Sequence, residues 1–282
     1  AQQRIIFEEF FCFQLGLATN RMDSILDRKE EAMQVNDRIR RSALEVLPFR
    51  LTSGQKHALQ EIAHDLQRRR AMNRLLQGDV GSGKTIVALL SAVIAMENGF
   101  QVAFMAPTEL LAAQHAKNLN RLLAKSRFST GLLTGSMQAK DRKRIVAQIS
   151  KKQIDLVVGT QALLESPIMF QRLGLVVIDE QHRFGVVQRA RLREKGLSPH
   201  VLVMTATPIP RTLALTAYGD LDVSVIKDLP PGRKPVTTIV RASSKHHEVY
   251  RFVGKELAAG RQAYVVYPLV EESSKMDLKA AT

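Results

Sequence analysis

Apolar side chains at Ile5, Ile6, Phe10, Phe13 and Leu17 recur at the spacing of one helical face. Met22 to Arg41 continues with charged residues between apolar ones. The pattern predicts a helical segment from Ala1 to about Leu47, broken by Pro48. Thr52-Ser53-Gly54-Gln55 then has the residue types of a helix start. Beyond it the period changes. Short β-rich runs at Arg74–Gln77, Gln101–Met105, Ser129–Leu133, Leu156–Gly159, Leu175–Ile178 and Val201–Thr205 alternate with helical stretches. Those stretches are Gly83–Asn98, Glu109–Lys125, Ala139–Ser150 and about Pro210–Tyr218. Alternating strands and helices imply a mostly parallel sheet covered on both faces. Val176-Val177-Ile178 and Val201-Leu202-Val203-Met204 are continuously apolar, as doubly covered strands must be.

Pro230-Pro231-Gly232 is the clearest linker signal. After it the pattern predicts a strand (Val236–Val240), a helix (Lys245–Ala259) and a strand (Ala263–Tyr267). One such unit cannot bury a sheet on both faces, so it reads as the start of a second domain. Three regions result: a helical connector over 1–47, an α/β domain over 48–229, and a linker with an incomplete second domain over 230–282.

Composition adds a partner. Lys and Arg exceed Asp and Glu by enough to leave a formal charge of +14, which favours a polyanion such as nucleic acid. No run approaches the length of a membrane span, and the first residues lack a secretory layout. The absent initiator Met suggests a processed or excised chain. Cys12 is the lone cysteine, which excludes an internal disulfide. It is expected to be a buried helix residue in a reducing, cytoplasmic setting.

The chemistry concentrates in Gly78-Asp79-Val80-Gly81-Ser82-Gly83-Lys84-Thr85, which satisfies G-x-x-x-x-G-K-[ST] between a strand end and an apolar helix. Its glycines let backbone N–H groups converge on phosphate, and the helix N-terminus faces the same anion. Lys84 suits the β- and γ-phosphates and Thr85 suits Mg²⁺. Val176-Val177-Ile178-Asp179-Glu180 follows as a Walker B element, with Asp179 for the metal and Glu180 for the attacking water.

Four further segments narrow the class. Asp179-Glu180-Gln181-His182 is a DExH box, and Thr205-Ala206-Thr207-Pro208 matches an [ST]-A-T motif. Ala106-Pro107-Thr108-Glu109-Leu110-Leu111 and Gly159-Thr160-Gln161-Ala162-Leu163-Leu164 look like motifs Ia and Ib. Their order resembles superfamily 2 helicases and translocases. The strings GDVGSGKT (78–85), DEQHRFG (179–185), TATPIPRT (205–212) and DLPPGRKPV (228–236) together resemble the RecG family of branched-DNA helicases. The transcription-repair coupling factor is the nearest alternative, though it typically has a DEEH box.

This resemblance implies a RecA-like P-loop domain using ATP and Mg²⁺ on branched or forked DNA, as a monomer away from membranes. By the same resemblance Gln55 reads adenine and Phe49 stacks on it, His182 senses the γ-phosphate, and Thr205, Thr207 and Arg211 couple nucleotide state to DNA. Pro107, Thr108, Gly135, Gly159 and Thr160 are candidate nucleic-acid contacts. A solvated helix-terminal glutamine at Gln55, and a surface salt bridge at Arg183 or Arg211, remain open. Gly54 departs from the alanine common in the family. The family's wedge domain and the arginines of its second lobe find no counterpart in this sequence. The expectation is a fragment that binds ATP–Mg²⁺ but hydrolyses it poorly. A DExH RNA helicase and a non-enzymatic nucleic-acid-binding remnant stay open as alternatives.

Overall fold

The computed structural model describes residues 4, 7–9, 11–12, 15–16, 31–164, 168–179, 198–207, 221–228 and 236–266. The chain divides into two compact units, Ala1–Gly232 and Arg233–Thr282. In the first, the described helices are α1 (Asp37–Glu45), α2 (Ser53–Leu66), α3 (Lys84–Glu97), α4 (Glu109–Leu123) and α5 (Ala139–Ser150). The strands are β1 (Asn73–Gly78), β2 (Gln101–Met105), β3 (Thr130–Leu133), β4 (Leu156–Gly159), β5 (Leu173–Asp179), β6 (His200–Thr205) and β7 (Asp222–Ile226). They form one seven-stranded sheet in the order β3-β4-β2-β5-β6-β1-β7, with every pairing parallel.

Parallel pairing places both faces under helices, and the core divides accordingly. Leu175 and Val177 of β5 join α3 in one cluster, whereas Val176 and Ile178 join Ile149 of α5 in another. The alternation is the two-residue period of a strand read through an unbroken apolar run. Helix α3 is buried continuously from Val87 to Met96 because the sheet lies on one side and α1 and α2 on the other. A helix apolar on all sides needs such a position. Met96 fills the first of these clusters and Met105 the second.

Four sequence readings change. The opening segment is not one helix: residues 31–36 form no helix, with Gln34 N–H donating to Asn98 Oδ1 (2.7 Å) and Asn98 Nδ2 donating back to Gln34 O (2.9 Å). One side-chain amide thus replaces helical partners for that backbone, and Asn36 then caps α1 by accepting from Ile39 N–H. Second, β7 has no counterpart among the predicted strands. Its alternation is short and polar, and its identity as a strand comes from pairing with β1.

Third, Val236–Val240 and residues 263–266 do not form strands, although the intervening helix α6 (His246–Ala258) does form. A strand must satisfy its N–H and C=O groups on a neighbour, and no ladder partner occurs there among the described residues. A helix satisfies them internally. Gly260, at φ 78°, closes α6 in the left-handed conformation. In this second unit no described residue is buried, and Val240, Tyr264 and Val266 are almost fully exposed. Fourth, Cys12 is exposed rather than buried. No helix among the described residues is long and apolar enough to cross a membrane.

At the amino end of the sheet, a buried ion network ties α2, β1 and β7 together. Arg74 reaches Asp65 Oδ2 through Nε (2.8 Å) and Nη2 (2.7 Å), and donates from Nη1 to Ser224 Oγ (2.9 Å). Glu61 completes it, 3.5 Å from Nη1 and hydrogen-bonded by the Ser224 hydroxyl.

Candidate nucleotide site

Parallel register brings the described parts of those sequence-derived motifs that follow strands to the carboxyl ends of the sheet. From one edge to the other these are Gly135 after β3, Gly159-Thr160 at β4 and Pro107-Thr108 after β2. Next come Asp179 ending β5, Thr205-Thr207 at β6, Gly78 ending β1 and Asp228 after β7. The edge thus divides into a half with the motif Ia and Ib loops and a half with the P-loop. Ligands of open parallel sheets bind at this end. Glu180, Gln181, His182, Arg183 and Arg211 lie outside the described residues.

The P-loop is shaped by its glycines. Gly81 and Gly83 have φ of 79° and 89°, which L side chains rarely adopt. Gly83 is the N-cap of α3, so the loop delivers its N–H groups to a helix N-terminus. A Cβ at Gly78 would meet Ser82 Oγ at 2.5 Å, and one at Gly83 would meet Gln55 Nε2 at 2.3 Å. Ser82 Oγ is fully buried and has no hydrogen-bond partner among the described residues. Lys84 Nζ donates to Gly78 O (2.8 Å) and Asp79 O (3.1 Å), curling back over the loop. Asp79, Val80 and Gly81 are exposed at the tip, where the Asp79 carboxylate accepts from Val80 N–H. A cradle too narrow for side chains, a lysine across it and an orphaned hydroxyl fit a phosphate chain.

Gln55 is buried rather than solvated. Its Nε2 donates to Ser82 O (2.8 Å) and its Oε1 accepts from Thr52 N–H (3.0 Å), while Thr52 caps α2. The side chain therefore braces the P-loop through a capping box. Phe49, half exposed, precedes this helix. Asp228 anchors the same helix start, accepting from Ser53 Oγ (2.7 Å) and Gly54 N–H (2.6 Å). Those two donors, Ser53 first, hold the Asp228 carboxyl below its ordinary range. A Cβ on Gly54 would lie 3.0 Å from this carboxylate, so glycine leaves room for the contact.

Asp179 ends β5, two strands from Gly78 with β6 between, which is about 10 Å across the sheet. Thr85 is the second residue of α3. Among the described residues no three His, Cys, Asp or Glu side chains could jointly hold a metal. A cation between Thr85 and Asp179 would take its remaining oxygens from phosphate and water, the habit of Mg²⁺. Thr205 and Thr207 are linked, Oγ1 to Oγ1 at 2.8 Å, with Thr207 N–H donating to Thr205 Oγ1 (3.2 Å).

In the other half, Thr108 caps α4 by accepting from Leu111 N–H (3.3 Å). Glu109 accepts from the Ser136 hydroxyl and N–H, so the loops after β2 and β3 are clasped together. The Ser136 hydroxyl first, then the N–H groups of Ser136 and Gly135, hold the Glu109 carboxyl below its ordinary range. Gly159 has a packing reason independent of any ligand: a Cβ there would lie 2.3 Å from Leu133 O and 2.9 Å from Leu163 Cγ. Gly159→Ala is expected to destabilise the domain by about 1–3 kcal/mol in urea unfolding, as overpacking does. Nucleotide affinity of the folded variant should not change; an unaltered unfolding midpoint would refute this account.

His115 is the site residue that sequence reading passed over. Its Nε2 lies 2.7 Å from Asp179 Oδ2. A search for metal-binding spacing could not find it, because the carboxylate is 64 residues away. The usable signal was helical phase: His115 follows Thr108 by two turns on α4 and so faces the same strand ends.

A seven-stranded parallel sheet with a phosphate cradle at its carboxyl edge defines a RecA-like P-loop domain. Residues 52–216 match the family of DEAD/DEAH box helicases, and the chain belongs to it. Over 99% of its length it is 51% identical to the ATP-dependent DNA helicase RecG of Aquifex aeolicus. It is 48% identical over its full length to the RecG of Synechocystis sp.. The structure of RecG bound to a three-way DNA junction superposes with a TM-score of 0.84 at 42% identity, over 96% of this chain and 36% of that one. The chain spans about a third of the length of the curated relatives it matches, 36% and 34% for these two. The RecG resemblance and RecA-like fold read from the sequence are borne out.

Proposed function

We propose that this chain is the ATP-binding motor lobe of a DNA helicase that translocates on branched DNA, such as stalled forks and Holliday junctions. The observation that carries it is the agreement in fold and sequence with the RecG–junction structure along nearly the whole chain. The phosphate cradle supports the nucleotide half of the reading. In this proposal Gly78 to Gly83 and Lys84 hold the phosphates, Gln55 and Phe49 hold the adenine, and Thr85 with Asp179 holds Mg²⁺. The metal neutralises charge developing on the phosphoryl oxygens. Glu180 orients the attacking water and His182 reads the γ-phosphate, with Thr205, Thr207 and Arg211 passing that state to the DNA. Pro107, Thr108 and Gly135, which are exposed, meet the sugar–phosphate chain together with Thr160, and the buried Gly159 shapes the loop beside them; such contacts position without reading sequence.

Residues 1–47 then serve as the connector, 48–229 as lobe one and 230–282 as a linker with the start of lobe two. The exposed apolar positions of the second unit support the last assignment. The deciding experiment is steady-state ATPase of this chain joined to the additional segments of its RecG relatives, with forked DNA, linear duplex DNA and duplex RNA. Forked DNA should stimulate most. Equal or greater stimulation by RNA would reject the assignment in favour of an RNA helicase.

A further inference from the structure

His115 and Asp179 form a contact that the nucleotide reading does not require. Both side chains are 14% exposed, so the pair is largely out of water. The imidazole is held from the other side by Phe104, its ring centroid 4.9 Å away, and Phe104 is itself fully buried in β2. The ring therefore has little freedom to turn. Among the described residues, the Asp179 oxygen in contact with His115 is Oδ2, at the last position of β5. A half-buried carboxylate needs a hydrogen-bond partner simply to be tolerated. Here that partner is a planar donor locked by packing, which also sets the direction of the second oxygen.

We propose that His115 is the positioning residue for Asp179, donating from Nε2 to Oδ2 so that Oδ1 is presented to nucleotide-bound Mg²⁺. The proposal rests on the nucleotide-site reading above. Hydrogen-bond partners of metal-ligating groups fix ligand orientation, and their loss weakens metal affinity by roughly 10- to 100-fold. His115 sits on the helix that Thr108 caps, so the donor is carried by a rigid element rather than a loop. Glutamine places an amide N–H at nearly the reach of Nε2, and alanine places nothing there.

The test is a Mg²⁺ titration of fluorescent ATP-analogue binding to this 282-residue chain, with melting curves to establish that each variant is folded. For His115→Ala, half-saturating Mg²⁺ should rise by about 10- to 100-fold while affinity for metal-free nucleotide stays at the wild-type value. His115→Gln should recover most of the loss. A Mg²⁺ requirement for His115→Ala within twofold of wild type overturns the proposal. So does an equal loss of metal-free nucleotide affinity, because the residue would then be only structural. Lys84→Ala separates the two readings. If it weakens binding while His115→Ala changes nothing, the positioning role alone fails. If Lys84→Ala binds like wild type, the site assignment fails and this inference falls with it.

Discussion

Lys84→Ala is expected to weaken nucleotide binding by roughly 10- to 150-fold, the loss of one charge-assisted hydrogen bond of about 1.5–3 kcal/mol to phosphate. The ammonium lies over the cradle, donating to the Gly78 and Asp79 carbonyls, and it is the only Lys or Arg of the P-loop. Turnover by a complete motor should fall further, by about 10²–10³, because a group aimed at transition-state charge is worth more than one that binds the ground state. The fold should survive. Lys84 is half-buried at the first turn of α3, outside both hydrophobic clusters, and changes at such positions usually shift stability by about 0.5 kcal/mol or less. Analogue titration and a thermal melt on the same sample measure both effects. Unchanged affinity in a folded protein would remove the basis for a nucleotide site at Gly78 to Thr85.

Arg74→Ala should have the largest effect on stability, a loss of up to about 3–5 kcal/mol, because it leaves the largely buried Asp65 with only Arg68, 3.6 Å from Oδ1, as a cationic partner among the described residues. The Asp65 side chain is only 7% exposed, and Arg74 supplies two of its contacts. In a domain of this size such a loss lowers the melting temperature by about 6–20 °C. The comparison that isolates the cause is the pair Arg74→Met with Asp65→Leu. That pair replaces the two innermost ions with apolar volume while Glu61, a third exposed, keeps water and His57 at 3.5 Å, and such replacements are often neutral. Stability of the double variant should therefore lie well above that of Arg74→Ala. If both variants fall equally, the damage comes from lost packing rather than from an uncompensated charge. The network is remote from the cradle, at the opposite end of β1, so nucleotide affinity of folded Arg74→Ala should hold.

The six core strands and the helices at Lys84–Glu97, Glu109–Leu123 and Ala139–Ser150 could be read from the chain because each has a local cause. Continuous apolar runs declare buried strands, and the P-loop declares its own strand, turn and helix. Thr52 and Thr108 cap the helices that follow them, as their side chains allow. The misreadings share the opposite property. Val236–Val240 has strand-forming residues but no neighbour to pair with among the described residues. Residues 31–36 lie within a helical pattern yet form no helix, because Asn98 satisfies Gln34 from a distant helix end. Asp222–Ile226 is a strand because β1 offers a free edge.

The same division runs through the site. The proposed ligand is legible locally: Gly81, Gly83 and Lys84 supply the residue types of a phosphate site within a few residues, where backbone freedom and charge need no distant partner. Three-dimensional packing chose the partners of those groups. Gln55 could have been a solvated cap; burial against Ser82 O makes it a brace for the cradle. Gly159 looked like a DNA-facing glycine, and the carbonyl of Leu133 gives it a reason in the sheet. His115 has no metal-ligand pattern around it in the sequence, and it contacts the carboxylate of Asp179. Residues 64 positions apart become neighbours only when parallel register aligns the strand ends, and that alignment depends on the whole sheet.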